Sequence, residues 1–276
     1  MWNIFKKLFS GEETKEEKSH FDKYRDDLKA EGLSTYEDLI GQVKPLLKKA
    51  TKLIVEKPSR PPENSQLKSH FGGQPYFEEN EEWPKTKSGK NFDFIFQIFN
   101  NTDNGLPDDI QLFQFYYDFD EFPWDSDSEG WLVKTYDKIN EDEIKMISRP
   151  TELEKSKYCE LTFEPIVSLP DWQGLYSICP NANKLSGILN EDSPWENYEK
   201  VCKNLIGEQN YQSQIGGYPK WIQGESTPRN PNNSLMDLLI QIDSEENSGI
   251  MWGDQGMIYF FYNIETRRIE FMLQCY

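Results

Sequence analysis

The chain has 276 residues, 36% hydrophobic and 14% aromatic, enough to bury a sizeable core without disulfides or metals. It carries 48 acidic against 30 basic residues, a net charge of -18. Residues 1–57 are nearly balanced, with 12 basic and 11 acidic groups, so the acidity belongs to the body that follows. Such a body repels nucleic-acid backbones; its charge either steers a basic protein partner or simply keeps an aromatic-rich chain in solution.

In chain order, residues 2–10 predict a short amphipathic helix, with Trp2, Phe5, Leu8 and Phe9 beside Lys6 and Lys7. It is too short to be stable alone and would dock on its own domain or make weak peripheral membrane contact through residues 2–9. No apolar secretory core and no run of 18 apolar residues is present, so a cytoplasmic location without a membrane span is expected. Residues 1–20 are set apart as an N-terminal amphipathic and charged segment, and 21–276 as a single domain.

Helices are predicted over 21–31 and 35–56. The second is read from Tyr36, Leu39, Ile40, Val43, Leu46, Leu47, Ala50, Leu53 and Ile54 at three- and four-residue steps, with a kink or break at Pro45. Pro58, Pro61 and Pro62 end helical patterning. Strands are expected over 92–99, 111–119, 130–136, 161–169, 235–243, 256–263 and 270–275, and a helix over 192–205 with Pro194 in its first turn. The fold class is therefore α+β, mainly antiparallel β, with N-terminal helices.

Three short segments recur at one spacing. Phe71-Gly72-Gly73-Gln74-Pro75 matches Ile215-Gly216-Gly217-Tyr218-Pro219, and Ile95-Phe96-Gln97-Ile98 matches Leu239-Ile240-Gln241-Ile242, each 144 positions later. Phe115-Tyr116-Tyr117-Asp118 matches Phe260-Phe261-Tyr262-Asn263 at 145. This predicts two pseudo-repeated β halves, 58–140 and 205–276, joined by a connecting segment over 141–204. Gln97 and Gln241 each sit among large apolar neighbours. Inside a protein they must find partners, either in a network that locks the halves or in a ligand cleft.

Chemistry-bearing motifs are sparse. Trp252-Gly253-Asp254-Gln255-Gly256 is placed at a loop tip, where an indole plate beside a carboxylate suits a sugar, a base or a cation, or simply a tight turn over the core. The Gly-Gly-x-Pro pairs lack the lysine of a phosphate loop. Asp125-Ser126-Asp127-Ser128-Glu129-Gly130 begins like a calcium loop but has Tyr136 at the twelfth position. Cys159, Cys179, Cys202 and Cys275 have no metal-ligand spacing, and His20 and His70 no nucleophile motif. No cofactor, metal site or catalytic residue is expected. A non-enzymatic protein-binding role with a basic partner is the leading expectation. The alternative is an enzyme or small-ligand binder with Trp252, Asp254, Gln97 and Gln241 lining a polar cleft between the halves.

At Ser69-His70-Phe71-Gly72-Gly73-Gln74-Pro75, Ile215–Pro219 and Met251–Gly256, with Trp83-Pro84, Leu239–Asp243 and Gln274-Cys275, the chain resembles the YwqG-like family of bacterial proteins, over about residues 36–275. The resemblance implies a mainly β, roll-like fold with flanking helices in a bacterial cytoplasm. It implies no activity. Some relatives are encoded near secreted toxin systems, which suggests immunity-type binding.

Overall fold

The computed structural model describes residues 22–100, 104–150, 156–209 and 212–276. The predicted helix over 2–10, His20 and the membrane-contact residues lie outside them. Helix α1 (Asp22–Ala30) is followed by α2 (Tyr36–Val43). The Thr35 side chain accepts from the Asp38 backbone N–H while the Asp38 carboxylate accepts from the Thr35 N–H, a reciprocal cap that fixes the start of α2.

The expected helix over 35–56 is corrected at Pro45. A single 3₁₀ turn, Lys44–Leu46, closes α2, and the chain continues as strand β1 (Lys48–Val55). The proline ring cannot be accommodated by a helix interior. Beyond it, β1 gains eight paired positions with a later strand, β6 (Cys159–Ser168), and three with β7 (Gln214–Gly216). The apolar spacing beyond Pro45 suits either periodicity, so the long-range pairing decides.

The remaining strands are β2 (His70–Phe71), β3 (Asp93–Phe99), β4 (Leu112–Tyr117), β5 (Trp131–Tyr136), β8 (Asp237–Asp243), β9 (Met257–Asn263) and β10 (Arg268–Gln274). All ten form one antiparallel sheet in the order β10-β9-β8-β7-β1-β6-β2-β3-β4-β5. It is mainly antiparallel β, in keeping with the aromatic and branched runs. The sheet rolls until its wings meet. Phe96, Phe113 and Phe115 of one wing pack on Phe260 of the other at ring separations of 6.3, 5.1 and 4.8 Å, and Phe115 stacks on Phe271 at 5.6 Å. The edges nearly close through the turn after β4, where Asp125 pairs with Met272 and the Leu273 N–H donates to the Trp124 carbonyl at 2.7 Å. Such closure covers an edge that would otherwise be open to other chains.

The connecting segment holds more than expected. Besides β6 and the expected helix, found as α5 (Pro194–Ile206), it contains α3 (Trp172–Ile178) and α4 (Pro180–Leu189). These helices and α1 and α2 share a core of their own around Leu39, Leu175, Leu185 and Val201. A helical layer thus flanks the roll. Both wings carry a register shift, between Phe94 and Phe96 on β3 and between Leu238 and Ile240 on β8. Both carry a glycine pair at positive φ, Gly72 and Gly73 at 56° and 69°, Gly216 and Gly217 at 68° and 75°. At Gly217 a Cβ would stand 2.7 Å from the Ser168 side chain, so the turn tolerates only glycine.

Candidate functional site

A groove of about 1120 Å³ lies between the helical layer and the outer side of the second wing. Its walls come from the turn between β6 and α3, one face of α5, the loop 219–222 and the hairpin between β8 and β9. Three buried or half-buried side chains fix the loop. The Lys220 N–H donates to Gln241 Oε1 at 2.8 Å, and the Lys220 carbonyl accepts from the Tyr259 hydroxyl at 2.8 Å. The Trp221 N–H donates to Asp171 Oδ2 at 2.7 Å, while Asp171 Oδ1 caps α3 by accepting from Gly174 N–H at 2.7 Å. One carboxylate therefore ties the helical layer to the loop.

The opposite wall is held as tightly. Ser213 accepts from the Asp243 N–H and donates to Glu245 Oε1 at 2.7 Å. Ser244 accepts from Trp252 N–H and donates to the Gly256 carbonyl. At Gly256 a Cβ would lie 2.1 Å from the Trp252 carbonyl, so the hairpin base closes only around glycine.

Burial dominates the electrostatics. It lowers the Lys220 amine to about 8, against the influence of the neighbouring Asp171 carboxylate. Burial raises Glu245 to about 7; the Ser213 hydroxyl opposes the shift and the Asp243 charge adds to it. Asp243 and Asp171 are also raised by burial, partly offset by backbone N–H groups. Among the described residues no cation lies within ion-pair distance of Asp243 or Glu245. Cys202, also on the groove, is pushed up to about 11 by burial and stays a thiol. Trp221, Met251 and Tyr276 supply apolar surface, Met251 and Tyr276 as exposed rims.

The four residues singled out in the sequence stand elsewhere. Trp252 is fully buried in the roll, stacked on Phe119 at 6.1 Å and edge-on to Tyr117 at 5.4 Å, with its Nε1 lacking a partner. Asp254 is exposed on the hairpin, its carbonyl accepting from Tyr276 N–H. Gln97 and Gln241 are fully buried. None of the four lines the groove, although Met251 and Gln255 beside them do. Gln241 instead sits behind it, holding Lys220. Asp125, the start of the calcium-like stretch, uses Oδ1 to accept from Asp127 N–H and from Ser128 N–H and hydroxyl, a turn-closing role.

A family model for a domain of unknown function, DUF1963, matches residues 69–266. The chain belongs to this family. Among curated proteins, none matches. The DUF1963 span holds the whole groove except Tyr276, yet leaves out β1 and β10. Since β1 lies at the centre of the sheet, the folded unit is larger than that span. Lys220, Asp171 and Glu245 were not singled out in the sequence. Asp171 and Lys220 each sit between a proline and a tryptophan, and Glu245 lies in an acidic turn, patterns that are ordinary in an acidic, aromatic-rich chain.

Proposed function

We propose that this DUF1963 protein is a non-enzymatic binding protein whose groove takes a basic segment of a protein partner. The observation that carries the reading is the pair Asp243 and Glu245, desolvated in a groove of this size and, among the described residues, without a cation in ion-pair distance. A lysine or arginine side chain would relieve both their burial and their mutual repulsion. The rims Met251 and Tyr276 offer apolar contact to the partner's adjoining residues. Asp254 adds charge on the exposed hairpin and Gln241 supports the groove from behind, while Trp252 and Gln97 serve the core. The acidic body adds long-range attraction. The resemblance to the YwqG-like family supports a bacterial, cytoplasmic setting and an immunity-type role.

Glu245→Gln tests this with two readouts. The variant keeps an acceptor for Ser213. The wild-type carboxyl is raised from 4.5 to about 7, so the unfolded chain loses its proton first and folding stability falls as pH rises through that window. The variant is expected to gain about 1–3 kcal/mol over wild type above pH 7, and little near pH 4.5, in urea unfolding. It should bind a Lys/Arg-rich peptide about tenfold more weakly by calorimetry at low salt. Equal binding of that peptide and its glutamine-substituted counterpart by the wild type would sink the reading.

We further infer that the wings are two pseudo-repeated halves. Support comes from hydrogen bonds that recur 144 positions apart. Gln97 Oε1 accepts from Tyr76 N–H, as Gln241 does from Lys220, and their amides donate to the Lys68 and Gln212 carbonyls. Ser69 accepts from Phe99 N–H, as Ser213 does from Asp243. His70 Nδ1 stands 2.7 Å from the Gly72 carbonyl, where Gln214 Nε2 reaches Gly216 at 2.8 Å. His70→Gln is therefore expected to fold. Burial lowers His70 from 6.5 to about 4, so the unfolded chain takes up the proton first and wild-type stability falls as pH drops through that window. The variant should lack this component of acid sensitivity, read by thermal melts at several pH values. An unfolded variant at neutral pH would count against equivalence.

A further inference from the structure

The first wing fills with its own chain the place that the groove occupies in the second. Lys220, Asp243 and Met257 on the groove stand where Tyr76, Phe99 and Leu112 stand in the first wing, with the same hydrogen bonds and the same register. Residues 139–145 lie over those first-wing positions. The Tyr76 hydroxyl accepts from the Asn140 N–H at 3.0 Å, the Lys145 N–H donates to the Phe77 carbonyl at 2.8 Å, and Glu78 pairs with Ile144. Ile139 and Ile144 pack on Tyr76, Leu112 and Tyr136. Among the described residues, the matching place in the second wing stands open as the groove. A chain segment with apolar residues at that interval fits such a place, and the exchange of Phe99 for Asp243 in the wall asks it to be basic.

We propose that residues 2–9 of this same chain occupy the groove and compete there with the basic partner, an inference that rests on the basic-segment reading above. The segment carries Lys6 and Lys7 and no carboxylate. The tether that follows, residues 10–21, is net acidic, with Glu12, Glu13, Glu16 and Glu17 against Lys15 and Lys18. The groove lining holds five carboxylates and two lysines, of which Lys203 is already paired with Glu208. Charge therefore draws in the segment and not the tether. Ile4 and Phe9 stand five positions apart, as Ile139 and Ile144 do, and Lys6 and Lys7 lie between them where the first wing's segment has Glu141, Asp142 and Glu143. Reach is sufficient. The 12 residues of the tether span up to about 40 Å. They lead into α1, which shares a core with α5, and α5 lines the groove with Tyr198 and Glu199. A domain of this size has a radius of gyration of only about 18 Å.

The test uses the full-length chain. Lys6→Gln combined with Lys7→Gln is expected to bind the Lys/Arg-rich peptide about tenfold more tightly than wild type, by calorimetry at low salt. That factor follows from an effective concentration on the order of 1 mM for a short tether and a segment affinity of about 0.1 mM. Lys15→Gln combined with Lys18→Gln removes the same charge from the tether and should leave the affinity at the wild-type value. Carbodiimide coupling of dilute wild type, followed by peptide mass mapping, should join Lys6 or Lys7 to Asp243, Glu245 or Glu246 within one molecule. Equal affinity of wild type and the variant at Lys6 and Lys7, with Glu245→Gln still binding more weakly, would overturn the proposal and leave the basic-segment reading standing. Cross-links found only between molecules would overturn it in favour of a second copy's segment. Failure of the peptide to bind either protein would remove both readings.

Discussion

Trp252→Ala is expected to lower folding stability by about 3–5 kcal/mol, the range for emptying a fully buried large aromatic site. The indole is enclosed by Phe115, Tyr117 and Phe119, the same ring network that joins the two wings through Phe260 and Phe271. Trp252→Phe should cost no more than about 1–2 kcal/mol, because the lost area is offset by removing an indole N–H that has no partner. Equilibrium urea unfolding of both variants measures the contrast. If the alanine variant keeps its stability and instead loses peptide binding, Trp252 is a recognition plate and its core role is wrong.

The second large effect concerns the buried amides. Gln97→Leu leaves the Tyr76 N–H and the Gln66 and Lys68 carbonyls without their side-chain partner. At about 1–3 kcal/mol for each orphaned group, a total of about 3–5 kcal/mol is expected. Gln241→Leu strips the Lys220 N–H and the Gln212 carbonyl in the same way. The two variants should differ in one respect. Gln241→Leu loosens the loop under the groove and should weaken binding of the basic peptide as well as stability. Gln97→Leu, in the other wing, should lower stability alone. Measuring unfolding and peptide affinity on the same preparations separates the two. Equal loss of affinity in both variants would show that the effect is global and that Gln241 does not position the groove.

Neither glutamine meets a ligand, although their placement among apolar residues marked them as unusual. Gln97 fills four hydrogen-bonding sites with the Tyr76 N–H, the Gln66 and Lys68 carbonyls and the Gln114 amide, and Gln241 bonds the Lys220 N–H and the Gln212 carbonyl. The spacing of the two was visible in the chain. That their partners would be backbone groups on both sides of the two glycine pairs was not, because those groups lie 21 to 31 positions away in sequence.

Local chemistry alone determined most of the elements. Aromatic and branched runs bounded by Gly, Pro, Asn and Asp mark β3, β4, β5, β8 and β9, since composition and turn residues are properties of a few neighbouring positions. The cap at Thr35 and the break at Pro45 are local for the same reason. What followed Pro45 was decided only in three dimensions. Residues 48–55 can satisfy a helical or an extended pattern, and they become the central strand because β6 and β7 supply backbone partners on both sides. The groove is likewise a tertiary product. Asp171, Lys220 and Glu245 are ordinary charged residues in an acidic chain, and they acquire unusual proton affinities only when the helical layer and the second wing together exclude water from them.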